Sequence, residues 1–140
     1  RTAKAPESLR MAQLAHEPLI LPTGPHGLRS ALNAAFARAN VTPQVTLEID
    51  SLAMLMDAVR AGLGGTLQPW AAVSRMAQEG DSLYMARITD HQVTRVNLLC
   101  GLSDDELSPA ALATRVVMGD CVRALVQSGA WQGASISPLG

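Results

Sequence analysis

The sequence predicts an open α/β fold with helices on both faces of a mostly parallel sheet. Two observations lead to this prediction. Apolar runs of strand length alternate with segments of helical periodicity along most of the chain, as in βαβ units. The chain has 140 residues, 48% of them hydrophobic, which is enough for one core but hardly for two. We therefore expect one compact α/β domain, or one domain and a fragment.

The first part of the chain predicts four elements. Residues 8–15 predict a short helical turn, and residues 18–22 have the length and flanks of a buried strand. Apolar residues recur at three- and four-residue spacing over residues 28–39, which predicts a helix that stops at Asn40. Residues 45–49 alternate apolar and polar side chains, as expected of a half-buried strand.

The middle of the chain continues the alternation. Ser51 is placed to cap a helix that ends at Gly62, where a glycine suits a left-handed C-cap. Residues 63–69 predict a short strand whose glycines allow close approach of another backbone or a ligand. A further helix is predicted from Trp70 to near Gly80.

The last part of the chain predicts two strands and a long helix. The strands cover residues 83–88 and 93–100, and the helix begins at the N-cap and proline pair Ser108 and Pro109 and ends at Gly129. The predicted apolar stripe of this helix consists of Leu112, Val116, Val122 and Val126.

Composition limits the class of protein. Eleven basic and twelve acidic residues give a net charge of −1, which is not the charge of a nucleic-acid-binding surface. Cys100 and Cys121 lie in apolar contexts without metal or disulfide spacing, so we expect buried thiols in a reducing compartment and no metal. No stretch is apolar for long enough to cross a membrane, and we expect a cytoplasmic protein with no membrane partner and no cofactor.

Three predicted strand ends are each followed by a helix start, at residues 22–28, 50–52 and 66–69. Ligands of open α/β sheets bind at such ends, where unpaired N–H groups of helix N-termini attract anions. Each segment also has a purely structural interpretation: a tight turn at residues 23–27, a capping histidine at His26 and an N-cap at Ser51. No nucleophile or acid/base pair stands out, so an enzyme is the least favoured interpretation.

The content and order of three segments resemble a known family. Residues 17–29, residues 48–52 and residues 59–70 are similar to the C-terminal effector-binding domain of LysR-type transcriptional regulators. The most specific part is a helix that ends in Val59-Arg60-Ala61-Gly62-Leu63-Gly64, followed by a short strand that ends at Pro69. The resemblance covers roughly residues 9–131.

The resemblance implies two α/β subdomains, related to periplasmic solute-binding proteins, with a ligand cleft between them. On this basis residues 1–140 form a partial effector-binding domain, with the second subdomain at about 16–92 and a crossover back to the first at about 93–131. DNA would be bound only through an N-terminal winged helix-turn-helix that has no counterpart here. The expected partners are a small organic anion, such as an aromatic carboxylate or sulfonate, and further copies of the regulator in a dimer or tetramer. The alternative is a periplasmic solute-binding protein, which shares the fold.

The resemblance also assigns one wall of the cleft. Gly65 and Gln68 depart from the family pattern, which usually has apolar residues at both positions. The implied effector-binding residues are Thr23, Pro25, His26, Gly27, Leu28, Ser51, Leu52, Gly65 and Thr66.

Overall fold

The computed structural model describes residues 6–78, 83–90 and 93–137, and leaves the side chains of residues 75–78 undescribed. Strands and helices alternate along this part of the chain, and each pair of strands is parallel. The elements are β1 (Ser8–Leu9), a 3₁₀ helix (Met11–Leu14), β2 (Pro18–Leu21), α1 (Gly27–Arg38), β3 (Gln44–Glu48), α2 (Leu52–Arg60), α3 (Trp70–Gln78), β4 (Arg87–Ile88) and α4 (Pro109–Gln127).

Strand β2 is central to the larger sheet. It pairs in parallel with β3, and its other edge accepts a single bridge at Gly65. The Gly65 N–H donates to the Pro18 carbonyl, and the Gly65 carbonyl accepts from the Ile20 N–H, both at 2.8 Å. A second, smaller sheet pairs β1 with β4.

The ends of α1, α2 and α4 lie where the sequence predicts them, because their signals are local, and the predicted end of α3 near Gly80 falls outside the described residues. Ser51 accepts a hydrogen bond from the Met54 N–H at the start of α2, and Ser108 accepts one from the Ala111 N–H at the start of α4. Positive φ angles follow the helices at Asn40 (53°), Gly62 (74°) and Gly129 (73°). This left-handed conformation favours glycine and tolerates asparagine, so these residues stop the helices.

The core forms around β2 and the apolar face of α1. Leu19, Ile20 and Leu21 of β2 are at most 2% exposed, and Phe36 of α1 is equally inaccessible. Leu19, Leu21 and Phe36 pack in one cluster with Met11 and Leu14 of the 3₁₀ helix and with Leu67. Burial of this apolar surface is the main driving force for folding of this part of the chain.

The chain divides into two compact units. The first includes the described residues of Arg1–Gln68 and Gly80–Arg95, and contains the core just described. The second includes the described residues of Pro69–Glu79 and Val96–Gly140, and contains α3 and α4. Within it, the Trp70 indole N–H donates to the Gln132 side-chain oxygen at 2.6 Å.

Several sequence-based expectations were wrong. Residues 63–69 form only the bridge at Gly65, residues 83–88 form a strand only at Arg87–Ile88, and residues 93–100 form no strand. Val96 and Leu98 in this last segment are 76% and 73% exposed. An apolar run becomes a strand only where a neighbouring strand offers hydrogen bonds, and none is paired with this run among the described residues.

The burial of side chains in the second unit also differs from what the sequence predicted. The apolar stripe of α4 is exposed or half-buried, and no residue of this helix is buried. Cys100 and Cys121, expected to be buried thiols, are free and exposed. In the first unit Met56 is buried and Met54 is exposed, and Met118 of α4 is also exposed. None of the described helices is long and apolar enough to span a bilayer.

Candidate functional site

The loop between β2 and α1 is joined to the end of β3 by one carboxylate. The Thr23 N–H donates to Oδ1 of Asp50 at 2.9 Å, and the Thr23 hydroxyl lies 3.0 Å from Oδ1 and 2.9 Å from Oδ2. The structure therefore brings together two of the three predicted segments, residues 22–28 and residues 50–52. Asp50 was predicted to lie at a strand end but not to belong to the site.

Asp50 is held in its charged form. Its pKa lies below the ordinary value of 3.8, chiefly because the Thr23 N–H donates to it, with further lowering by the Thr23 hydroxyl and by the charge of His26. Desolvation opposes this shift but does not cancel it. At neutral pH the site thus contains a fixed negative charge beside Thr23.

His26 is the N-cap of α1. Its Nδ1 accepts a hydrogen bond from the Leu28 N–H at 3.2 Å, so the imidazole has a structural role whether or not a ligand is present. The first-turn N–H groups of Gly27 and Arg29 have no acceptor within the helix. These two groups, at the positive end of the helix dipole, remain available to an anion.

A cationic side chain lies beside this helix start. Nη2 of Arg95 is 3.7 Å from the position that a Cβ on Gly27 would occupy. Within the described part of the chain, Arg95 has no ion-pair or hydrogen-bond partner for its side chain. Arg95 was not predicted as a site residue, because nothing in its local sequence indicates that it lies next to Gly27.

The neighbouring arginine has a different role. Nη1 of Arg29 donates to the Pro22 carbonyl at 2.7 Å and to Oε1 of Glu48 at 2.5 Å, and its Nε donates to Oδ1 of Asn33 at 3.0 Å. The side chain is only 15% exposed. Its charge therefore stabilises the β2–α1 loop against β3.

Ser51 and Leu52 are at the start of α2, directly after Asp50. The Ser51 oxygen caps the helix by accepting from the Met54 N–H at 3.5 Å, which leaves its hydroxyl proton available as a donor. Leu52 is 36% exposed and offers an apolar surface next to this hydroxyl.

Gly65 and Thr66 lie on the edge of β2 opposite to β3. No hydrogen bond within the described residues joins them to the other two segments, and the Thr66 hydroxyl accepts from the Gln68 side chain at 3.3 Å. A Cβ on Gly65 would meet only Leu19, at 3.9 Å, so the missing side chain leaves open space on this edge. Pro25 is exposed and Leu28 is buried, which leaves Leu28 as a core residue.

The described elements form an α/β fold in which parallel strands lead into the N-termini of helices, where ligands of such sheets bind. Comparison with known proteins is more specific. The profile of the LysR substrate binding domain matches residues 2–119. The HTH-type transcriptional regulator BbuR of Bordetella bronchiseptica is 30% identical over 129 residues, which cover 92% of this chain and 39% of that protein.

The chain therefore belongs to the LysR substrate-binding domain family, and the resemblance noted in the sequence is confirmed. This family is the ligand-binding domain of transcriptional regulators and is not normally catalytic. It implies a periplasmic-binding-protein-like α/β fold, with which the observed helices and parallel strands are compatible. The match does not favour the alternative of a periplasmic solute-binding protein.

Proposed function

We propose that this chain senses a small organic anion for a LysR-type transcriptional regulator and performs no chemistry itself. Residues 16–92 provide the second subdomain of an open-sheet domain with helices on both faces, and residues 93–131 return to the first. DNA is bound through an N-terminal winged helix-turn-helix of the whole regulator, which works as a cytoplasmic dimer or tetramer. Ligand binding favours one arrangement of the subunits over another and so controls transcription.

The observation that carries the choice of an anion is Arg95 beside Gly27. A guanidinium with no partner among the described residues lies against the start of α1, where two N–H groups also lack intrahelical acceptors. Guanidinium groups bind carboxylates and sulfonates through paired, charge-assisted hydrogen bonds. An aromatic carboxylate or sulfonate suits this chemistry.

Asp50 restricts where the anionic group can lie. Both the N–H and the hydroxyl of Thr23 already point at the Asp50 carboxylate, and the negative charge would repel a second anion there. We therefore place the anionic group of the ligand at Gly27 and Arg95. The Ser51 hydroxyl is then a further donor and Leu52 contacts the apolar part of the ligand. Gly65 and Thr66 belong to the same wall.

Calorimetric titration of the whole regulator with benzoate and benzenesulfonate tests the ligand class. Neutral benzyl alcohol and cationic benzylamine are matched controls of similar size. We expect saturable binding of at least one acid and none of the controls. A saturable response to benzyl alcohol or benzylamine alone, or no response to either acid, contradicts the proposal.

The role of Arg95 is tested by replacing it with glutamine. Loss of a charge-assisted contact is expected to weaken binding of the acid by about tenfold. Arg87→Gln, at the exposed position of β4, removes the same charge elsewhere in the first unit. If both variants weaken binding equally, the effect is one of net charge and Arg95 does not contact the ligand.

A further inference from the structure

The side chain of Asp50 takes the place of a backbone hydrogen bond where the sheet ends. The last bond between the two backbones joins the Ile49 N–H to the Leu21 carbonyl, at 3.0 Å. In a parallel ladder the next donor is the Thr23 N–H. Here the Thr23 N–H donates instead to Oδ1 of Asp50, and the Thr23 hydroxyl also donates to the same carboxylate. The hydrogen bonding between the two chain segments thus continues beyond the ends of β2 and β3.

Each end of this link lies next to a helix start. Thr23 is the residue whose carbonyl accepts from the N–H of His26, the N-cap of α1, at 3.1 Å. Asp50 directly precedes Ser51, the N-cap of α2. A rigid link between Thr23 and Asp50 therefore sets the distance between the first turns of both helices.

We propose that Asp50 is a positioning residue for effector binding, which acts through Thr23 to hold the two helix N-termini in a preformed arrangement. This inference rests on the proposed sensor function. The Asp50 carboxylate holds the two helix N-termini in place and does not contact the effector. The cost of this arrangement is a negative charge near an anion. A preformed site loses less conformational entropy on binding than a mobile one.

Hydrogen exchange of the whole regulator, followed by mass spectrometry of peptides that span residues 19–28, tests the link without any ligand. In Asp50→Ala the Thr23 N–H loses its acceptor, and we expect its exchange to accelerate about tenfold. Asp50→Asn keeps one acceptor oxygen and is expected to restore most of the protection. Asp57→Ala, an exposed aspartate on α2, is the control and should leave this peptide unchanged. Unchanged exchange in Asp50→Ala overturns the proposal.

Affinity for benzoate distinguishes positioning from simple charge. Both variants remove a negative charge, so electrostatics alone predicts equal and tighter binding by both. If Asp50 positions the helices, Asp50→Asn binds benzoate at least as tightly as the original protein, and Asp50→Ala binds it several-fold more weakly than Asp50→Asn. Equal affinities overturn the positioning role. If the original protein binds neither benzoate nor benzenesulfonate, the ligand class fails, while the exchange measurement still decides whether the link exists.

Discussion

Gly64 and Gly65, the adjacent glycines after α2, differ in whether the structure has room for a side chain. A Cβ on Gly64 would lie 2.6 Å from the Pro18 carbonyl oxygen and 3.2 Å from Ile20, because the backbone here runs against β2. A Cβ on Gly65 would have an ordinary contact with Leu19 at 3.9 Å. The sequence predicted close backbone approach for this pair, and the structure shows that only Gly64 lacks room for a Cβ.

We expect Gly64→Ala to lower the free energy of unfolding by about 1–3 kcal/mol, because the backbone must shift to admit the methyl group. Gly65→Ala is the matched control and should change it by less than about 0.5 kcal/mol. Urea denaturation followed by circular dichroism measures both. Similar values for the two variants would contradict the contact with Pro18.

Asp50 gives a prediction about acid stability. Since its pKa is lower in the folded protein than its ordinary value of 3.8, the unfolded chain binds more protons between these two values. The contribution of Asp50 is therefore fully present above this range and is lost as the pH falls through the folded pKa. We expect Asp50→Asn to flatten this part of the stability profile, measured by denaturation from about pH 5 down to about pH 2. An unchanged acid slope in Asp50→Asn would show that Asp50 titrates alike in both states.

At the level of the elements, the helices and the strands β2 and β3 were predicted well, but the later strands were not. Ser51, Ser108 and Gly62 specify helix ends through contacts with residues at most four positions away. Residues 93–100 resemble a strand in composition, but their state depends on a partner far away in the chain. A sequence pattern shows that a segment is apolar, but it does not show which other segment packs against it or pairs with it.

Helix α1 begins with a less common cap, a histidine. We expect His26→Ala to destabilise the first unit by about 1 kcal/mol at neutral pH, since the Leu28 N–H loses its acceptor. His26→Asn restores a side-chain acceptor and should recover most of this loss. Chemical denaturation of both variants provides the measurement. If His26→Asn is as unstable as His26→Ala, the cap does not contribute to stability.

For the molecule as a whole, ligand binding and folding are linked. If an aromatic acid binds only the folded regulator, its presence at 100 times its dissociation constant raises the free energy of unfolding by about 2.7 kcal/mol. We expect benzoate or benzenesulfonate to raise the thermal midpoint in a concentration-dependent manner, while benzyl alcohol has no effect. A rise that is the same for acid and alcohol would indicate a solvent effect.

The sequence by itself determined the helix boundaries, the central pair of parallel strands β2 and β3, and the family, since these depend on local capping, on periodicity and on a motif within residues 59–70. It also predicted ligand-binding strand ends at residues 22–28, 50–52 and 66–69, and the structure joins the first two of these segments. Tertiary structure alone decided that Asp50 accepts from Thr23, that Arg95 lies beside Gly27 and that Gly64 touches Pro18. These contacts join residues far apart in the chain, and which residues meet depends on how the sheet and helices pack, which no local pattern encodes.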